Sequence, residues 1–384
     1  MKFDFDRIID RKNTNSLKWD VKNGELPLWV ADMDFETAPC VRKAIEKRIS
    51  NGIFGYSIVP DEWKNSYIGW WNRRHKLEIL PECLIFCTGI VPAISSCVRK
   101  LTTPAEKVLL LTPCYNIFFN SIVNNGRFPV ECSLDYDGKR YSLNFERLEN
   151  SLSDPQVSLM ILCNPQNPTG NIWNKDELAK IGELCKKYGV TVISDEIHCD
   201  VVRPGKEYVP FASASETCAE ISVSCVAPTK CFNIAGINSA AVIVKNQFLR
   251  HKVWRALNTD EVAEPNAFAV DATIAAFNEG EEWLDALNEY LFKNREYAAA
   301  RINSLKNGFS AVASDSTYLL WVDLHQNGDE FAAELRKKTG LYINGGSEYG
   351  KAGENFVRIN LACPRKILED AMDRFERFSK TLKI

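Results

Sequence analysis

Histidine is scarce in this 384-residue chain, with four in all, and its 13 cysteines include no Cys-x-x-Cys pair. The closest thiols in sequence, Cys83 and Cys87, have no histidine at ligand spacing. The cysteine count is odd and the positions are scattered, which predicts neither a disulfide framework nor a zinc site. The thiols read as small core residues of a reducing compartment. Excess charge of either sign is also lacking. A formal net charge of -3, with no basic stretch and no helix-turn-helix module, argues against a nucleic-acid partner. No apolar run approaches membrane-spanning length. The N-terminal Met1-Lys2-Phe3-Asp4-Phe5-Asp6-Arg7 carries acids where a secretory signal needs an apolar core, so a cytoplasmic location is expected. Internal repeats and low-complexity segments are absent too. What remains is an ordinary composition, 45% hydrophobic and 25% charged, long enough for a large α/β core and a second, smaller domain.

The most informative stretch is Ala227-Pro228-Thr229-Lys230-Cys231-Phe232-Asn233. It follows Ile221-Ser222-Val223-Ser224-Cys225-Val226, which reads as a short buried strand. Lys230 is thereby presented at a strand exit, the end at which open α/β sheets bind ligands. A lysine amine there can form a Schiff base with a carbonyl cofactor and act as a base. Asp195 ends an earlier apolar run, Val190 to Ser194. A lysine and a carboxylate at two strand ends are the groups a pyridoxal phosphate site needs, one for the carbonyl and one for the ring nitrogen.

Read in order, residues 1–26 are polar and irregular, and Arg11 to Ser16 looks like an exposed arm. Trp29 to Phe35 is apolar but holds Asp32 and Asp34. Buried acids need partners, so this segment reads as a loop lining a cleft. A helix through Val41, Ile45 and Ile49 stops at Asn51-Gly52, and Tyr56 follows on a glycine-punctuated loop. A helix spans Trp63 to Arg74, with Trp70-Trp71 as core. After a strand at 83–87, Thr88-Gly89-Ile90-Val91-Pro92 reads as a tight turn into a helix, whose free N–H groups would seat a phosphate. Strands at 108–111, 128–132, 158–163, 190–194, 221–226 and 240–244 alternate with helices. That alternation predicts a mainly parallel sheet covered on both faces. Tyr115 arrives at one strand exit, and Asn164-Pro165-Gln166-Asn167-Pro168-Thr169-Gly170 fixes a rigid turn at another. A long helix over about 281–307 should link the domains. Strands at 318–323 and 356–361, with helices at 329–338 and 365–381, form a small α+β unit. Gly345 to Lys351 has phosphate-loop spacing, but Ala352 stands where a magnesium-binding hydroxyl is required, so it reads as a mobile loop. The expected divisions are an N-terminal arm with part of the small domain (1–50), a large domain (51–284) and a small C-terminal domain (285–384).

Thr88-Gly89-Ile90, Tyr115, Asn167-Pro168-Thr169-Gly170, Asp195, Thr229-Lys230 and Arg358 occur in an order that resembles the aminotransferase class I/II group of fold-type-I pyridoxal-phosphate enzymes, over nearly the whole chain. Within it, several runs resemble the MalY/PatB-type cystathionine β-lyase branch: Pro27 to Phe35, Phe54-Gly55-Tyr56, Ser194 to His198, Ala227 to Gly236 and Arg358 to Pro364. The resemblance implies pyridoxal 5'-phosphate as cofactor and a set of roles. Lys230 would hold the cofactor and move the Cα proton, Asp195 would pair with the ring nitrogen, and Tyr115 would stack on the ring. Asn167 and His198 would face the phenolic edge. Ile90, Val91 and Thr229 would bind the phosphate. Arg358 would clamp the substrate carboxylate, with Ala31 beside it. Tyr56 would reach the site of a neighbouring subunit, which implies a homodimer.

Two departures bear on activity. Many aminotransferases of the group have an arginine where this chain has Asn238, and serine is commoner than Thr229. The implied reaction is α,β-elimination on L-cystathionine or related L-cysteine S-conjugates. The alternatives are an aminotransferase of aromatic or sulfur amino acids, and a regulatory pyridoxal-phosphate-binding protein acting by protein contact.

Overall fold

A computed structural model describes residues 3–382. Met1 and Lys2, from the N-terminal stretch read above, lie outside the described residues, as do Lys383 and Ile384. Seven short apolar runs pair into one sheet: β1 (Leu84–Cys87), β2 (Lys107–Thr112), β3 (Phe128–Ser133), β4 (Val157–Cys163), β5 (Thr191–Asp195), β6 (Ser222–Val226) and β7 (Ala240–Ile243). Their order is β1-β7-β6-β5-β4-β2-β3. Only the two pairings made by β7 are antiparallel. The central strands are buried on both faces, which is why they read as continuous rather than alternating apolar runs. Register levels the strand ends: Cys163 lies opposite Asp195, and Asp195 opposite Cys225. The residues leaving β4, β5 and β6 therefore emerge side by side at one edge of the sheet.

The helices follow from local chemistry. Lys175–Lys187 starts at a capping box between Asn174 and Glu177 and is followed by Gly189 at φ +71°. Ile90–Leu101 has no side-chain cap at its start. Gly89, expected to make a tight turn, is instead extended at φ 171°. The constraint there is steric, since a Cβ would come within 3.2 Å of the Pro92 ring. The long helix is Glu281–Asn303. Trp283, Leu284 and Leu287 pack with Trp63 and Trp70 in one core, while Ala298 and Ile302 belong to a second core under a smaller sheet.

That smaller sheet is antiparallel and contains β8 (Ser310–Ala311), β9 (Leu319–Asp323), β10 (Asn344–Gly345) and β11 (Phe356–Asn360), in the order β8-β9-β11-β10. Helices Gly328–Thr339 and Arg365–Ser379 cover it. Leu26–Pro27 pairs in parallel with Leu341–Tyr342, so the chain start is sewn to this unit.

Two loop expectations are corrected. The run 345–353 is not a free loop: it forms β10 and two short 3-10 turns, with Tyr349 and Gly353 buried. The Cys114 N–H donates to the Tyr349 carbonyl at 2.8 Å, the Lys351 N–H to Glu131 at 3.0 Å, and Ser347 Oγ to Asp329. A Cβ at Gly346 would overlap the carbonyl oxygen of Gly353. Gly346→Ala should therefore cost about 2 kcal/mol, because backbone must move to admit the methyl. The measurement is a lower urea midpoint at unchanged m-value. The Arg11–Ser16 arm is exposed from Lys12 to Asn15, but Arg11 itself turns inward.

Candidate active site

A cavity of about 210 Å³ opens at the strand exits of the large sheet. Lys230, after β6, and Asp195, the last residue of β5, both line it. So do Cys163 and Asn167 from the β4 turn, Tyr115 after β2, and His198. Ile90 and Val91, at the start of the uncapped helix, close one end together with Thr229. A helix start leaves backbone N–H groups without intrahelical partners, so this end of the cavity is electropositive and rich in donors. Both Asn–Pro bonds of the β4 turn are cis.

Burial dominates the electrostatics. It pushes the Asp195 carboxyl up to about 7, against one N–H donated by Ile197 at 3.1 Å, with neighbouring Glu196 raising it further. It pushes the Lys230 amine down to about 8, with Asp32 and Asp195 opposing and Arg358 assisting. His198 falls to about 3, chiefly through burial and then through the cations of Lys230 and Arg358, so its imidazole is neutral. Its buried Nδ1 has no hydrogen-bond partner among the described residues. Burial also holds the Tyr115 phenol above its usual range. An acid and an amine with proton affinities shifted toward each other in one cavity are equipped for proton transfer near neutral pH.

The Trp29–Phe35 segment forms the opposite wall. Lys230 Nζ donates to the Ala31 carbonyl at 2.6 Å, and the Tyr318 hydroxyl to the same oxygen at 3.2 Å. The two acids of the segment find their partners in the N-terminal stretch. Arg11 pairs with Asp32 at 2.7 Å and Asp34 at 2.9 Å. Lys18, fully buried, pairs with Asp34 at 2.7 Å and donates to the Asp32 carbonyl at 2.9 Å. This network fixes the loop against which Lys230 rests.

Arg358, on β11, is buried and stands behind Asn167. Among the described residues no carboxylate pairs with its guanidinium. It donates instead to the Trp29 carbonyl at 2.8 Å, Asn344 Oδ1 at 3.2 Å and Asn167 Oδ1 at 3.4 Å, and lies 4.9 Å from the Tyr349 ring centre. Sequence reasoning demanded an anion for this buried cation; the chain itself offers only neutral acceptors.

The expected residues Lys230, Asp195, Tyr115, Asn167, His198, Ile90, Val91, Thr229 and Ala31 thus share one cavity, with Arg358 adjoining it through Asn167. Tyr56 is not among them: it is fully exposed on a segment without secondary structure. Sequence reasoning missed Tyr318 and Asn344 as supports. Tyr318 was marked only as the first residue of an expected strand, which is too common to single it out, and Asn344 carried no signal in the sequence.

One cluster of metal-ligating residue types lies behind the site, where His75, Cys199 and Asp200 bring ligand atoms within 4.8 Å of one another. Asp200 accepts from His75 Nε2 at 2.9 Å and from Trp70 Nε1 at 3.1 Å, and burial raises the Cys199 thiol. These bonds tie the turn that carries His198 to the helix bearing Trp70 and His75.

A seven-stranded, mainly parallel sheet with a lysine and a carboxylate at adjacent strand exits, and a small antiparallel unit beside it, is the fold-type-I architecture of pyridoxal-phosphate enzymes. The sequence model described as aminotransferase class I and II matches residues 24–375, and the chain belongs to that family. It is 39% identical over 382 residues to cystathionine beta-lyase PatB of Bacillus subtilis, covering 97% of this chain and 98% of the relative. It is 34% identical over 382 residues to protein MalY of Escherichia coli, covering 96% of each. The solved structure of cystalysin from Treponema denticola, which contains a pyridoxal 5'-phosphate cofactor, superimposes over the whole of both chains with a TM-score of 0.95 at 32% identity. The chain thus stands in the carbon–sulfur lyase branch of its family. No helix among the described residues is long and apolar enough to cross a membrane.

Proposed function

We propose that this chain is a pyridoxal 5'-phosphate-dependent carbon–sulfur β-lyase. It would cleave L-cystathionine or a related L-cysteine S-conjugate, with one water, to a thiol, pyruvate and ammonia. The observation that carries this reading is the shared cavity of Lys230 and Asp195 beneath an uncapped helix start. The 39% identity to cystathionine beta-lyase PatB of Bacillus subtilis supports this choice of reaction.

The residues fit the cofactor chemically. The Ile90 and Val91 N–H groups and the Thr229 hydroxyl suit its phosphate. Asp195, buried with a single N–H donor, suits a protonated ring nitrogen. The unpartnered His198 Nδ1 and the Asn167 amide suit its oxygen-bearing edge, and the Tyr115 ring suits its face. When bound there, pyridoxal phosphate supplies an electron sink for negative charge at the substrate Cα.

The chain's own work is positioning and proton transfer. Arg358 holds the α-carboxylate by a bidentate pair, with Asn167 and the Ala31 backbone beside it. Lys230 Nζ, held down to about 8, is neutral in a substantial fraction of molecules near that pH and takes the Cα proton. Asp195, as an ionised carboxylate beside the ring nitrogen, would favour the nitrogen's protonated form through a charge-assisted hydrogen bond. Tyr56, useless to its own cavity, serves the site of a second copy, so the working form is a homodimer. All 13 cysteines are free, and all but Cys40 are buried, in keeping with a cytoplasmic enzyme.

The runner-up is an aminotransferase for aromatic or sulfur amino acids. Asn238 lines the cavity at the position where many aminotransferases carry a phosphate-binding arginine, which favours the lyase. The test is to incubate the purified holoenzyme with L-cystathionine and no keto acid, and to follow pyruvate. Steady release supports the lyase. Conversion of the cofactor to its amino form without pyruvate, reversed by a keto acid, replaces it with the aminotransferase. A bound cofactor that responds to no amino acid points to a regulatory protein.

A stability prediction follows from Asp195. Its carboxyl sits at about 7 in the folded, cofactor-free protein, above its ordinary value of 3.8. The native state therefore binds the extra proton between those values, and stability falls as pH rises through that window. Cofactor-free Asp195→Asn should melt a few degrees above the cofactor-free wild type at pH 8. The difference should vanish near pH 4, as read by thermal unfolding across pH.

A further inference from the structure

We propose that Glu348 sets the charge preference at the far end of the substrate: the site favours amino acids whose side chain ends in a cation. The proposal rests on the reading of Arg358 as the α-carboxylate clamp. Glu348 sits in the short turn Ser347–Tyr349 of the small unit, and two amides hold its carboxylate. Asn344 Nδ2 donates to Oε1 at 2.9 Å, and Asn116 Nδ2 to Oε2 at 3.4 Å. Asn116 belongs to the large sheet's strand exit, directly after Tyr115. The other end of the Asn344 amide accepts from Arg358 Nη2 at 3.2 Å. One asparagine side chain therefore separates the buried guanidinium from the exposed carboxylate.

An ordinary surface glutamate is solvated and free to swing. This one is fixed from both sides of the cleft, and among the described residues no lysine, arginine or histidine pairs with it. Two amide donors cannot neutralise a carboxylate, and its charge is felt at the cavity residue Tyr115, whose phenol it helps burial to raise. A substrate held at Arg358, with its side chain running outward past Tyr115, brings its far end to Glu348. A terminal ammonium gains an ion pair there, a methyl gains nothing, and a carboxylate is repelled. L-Cystathionine ends in both an ammonium and a carboxylate, so only its ammonium gains at Glu348.

The test uses three amino acids of matched length without a β-leaving group: L-lysine, L-norleucine and L-2-aminoadipate. Their dissociation constants from the holoenzyme are measured by calorimetry. Wild type should bind lysine about fivefold more tightly than norleucine, the upper end of what a solvent-reached ion pair contributes, and 2-aminoadipate most weakly. Glu348→Gln should bring the lysine-to-norleucine ratio close to one, and Glu348→Lys should reverse the order. Equal affinities in wild type, a ratio unchanged by Glu348→Gln, or no binding by any of the three overturns the proposal. The lyase reading is scored separately. Pyruvate release without a charge order removes only the role of Glu348, and a charge order without pyruvate release removes only the lyase reaction.

Discussion

Replacing Lys230 by alanine should lower pyruvate release from L-cystathionine by about a thousandfold or more, because the group proposed to take the Cα proton is gone. The neighbouring groups cannot substitute. His198 is neutral but is held at about 3, far too weak a base for a Cα proton. The Tyr115 phenol is raised by burial, so it stays protonated at neutral pH. Asp195, in the proposed reaction, is committed to the ring nitrogen. The loss should not come from unfolding. Burial disfavours the Lys230 charge, so deleting the amine relieves a desolvation cost, and the cofactor-free variant should melt no lower than wild type at pH 7. Borohydride reduction separates the lysine's two roles. The wild-type chain should gain the cofactor's mass, and Lys230→Ala should gain none. A variant that keeps turnover, or still takes up the label, would remove Lys230 from the site.

The second large effect is expected at Arg358. Arg358→Gln should reduce kcat/KM by about a thousandfold, the scale of breaking one side of a desolvated charge pair. Most of the loss should appear in KM. Among the described residues the guanidinium meets three neutral acceptors and an aromatic face, and no carboxylate pairs with it. A glutamine can keep part of that bonding, so folding should suffer little while the α-carboxylate loses its partner. A substrate amide, which has no carboxylate to clamp, provides the control: wild type and variant should process it equally poorly. A variant that discriminates acid from amide as wild type does would mean that another group clamps the carboxylate.

The expected and observed central strands agree because burial on both faces leaves a simple trace, a short continuous apolar run. Lys230, Asp195 and Tyr115 were legible for the same reason: each follows such a run, and parallel strands deliver their exits to one edge. The loop 345–353 was misread because its glycines suggest mobility. In the fold, a methyl at Gly345, Gly346 or Gly353 would overlap a neighbouring chain segment, so these glycines mark tight packing. The buried acids of Trp29–Phe35 were visible, but their partners Arg11 and Lys18 were not. They lie in a stretch whose composition looks like a solvated arm, and nothing local distinguishes a buried lysine from an exposed one.

Hydrophobic patterning and strand-end chemistry, which are local properties, thus determined by themselves the mainly parallel sheet, its breaks, and the lysine and carboxylate at its adjacent strand exits. Register and side-chain packing decided the rest. They set Cys163, Asp195 and Cys225 level, brought the Ala31 carbonyl to the Lys230 amine, and joined Arg358 through Asn344 to Glu348. The segments that meet there are far apart along the chain. Their contact depends on how two sheets and a long helix pack, and no local pattern encodes that distance.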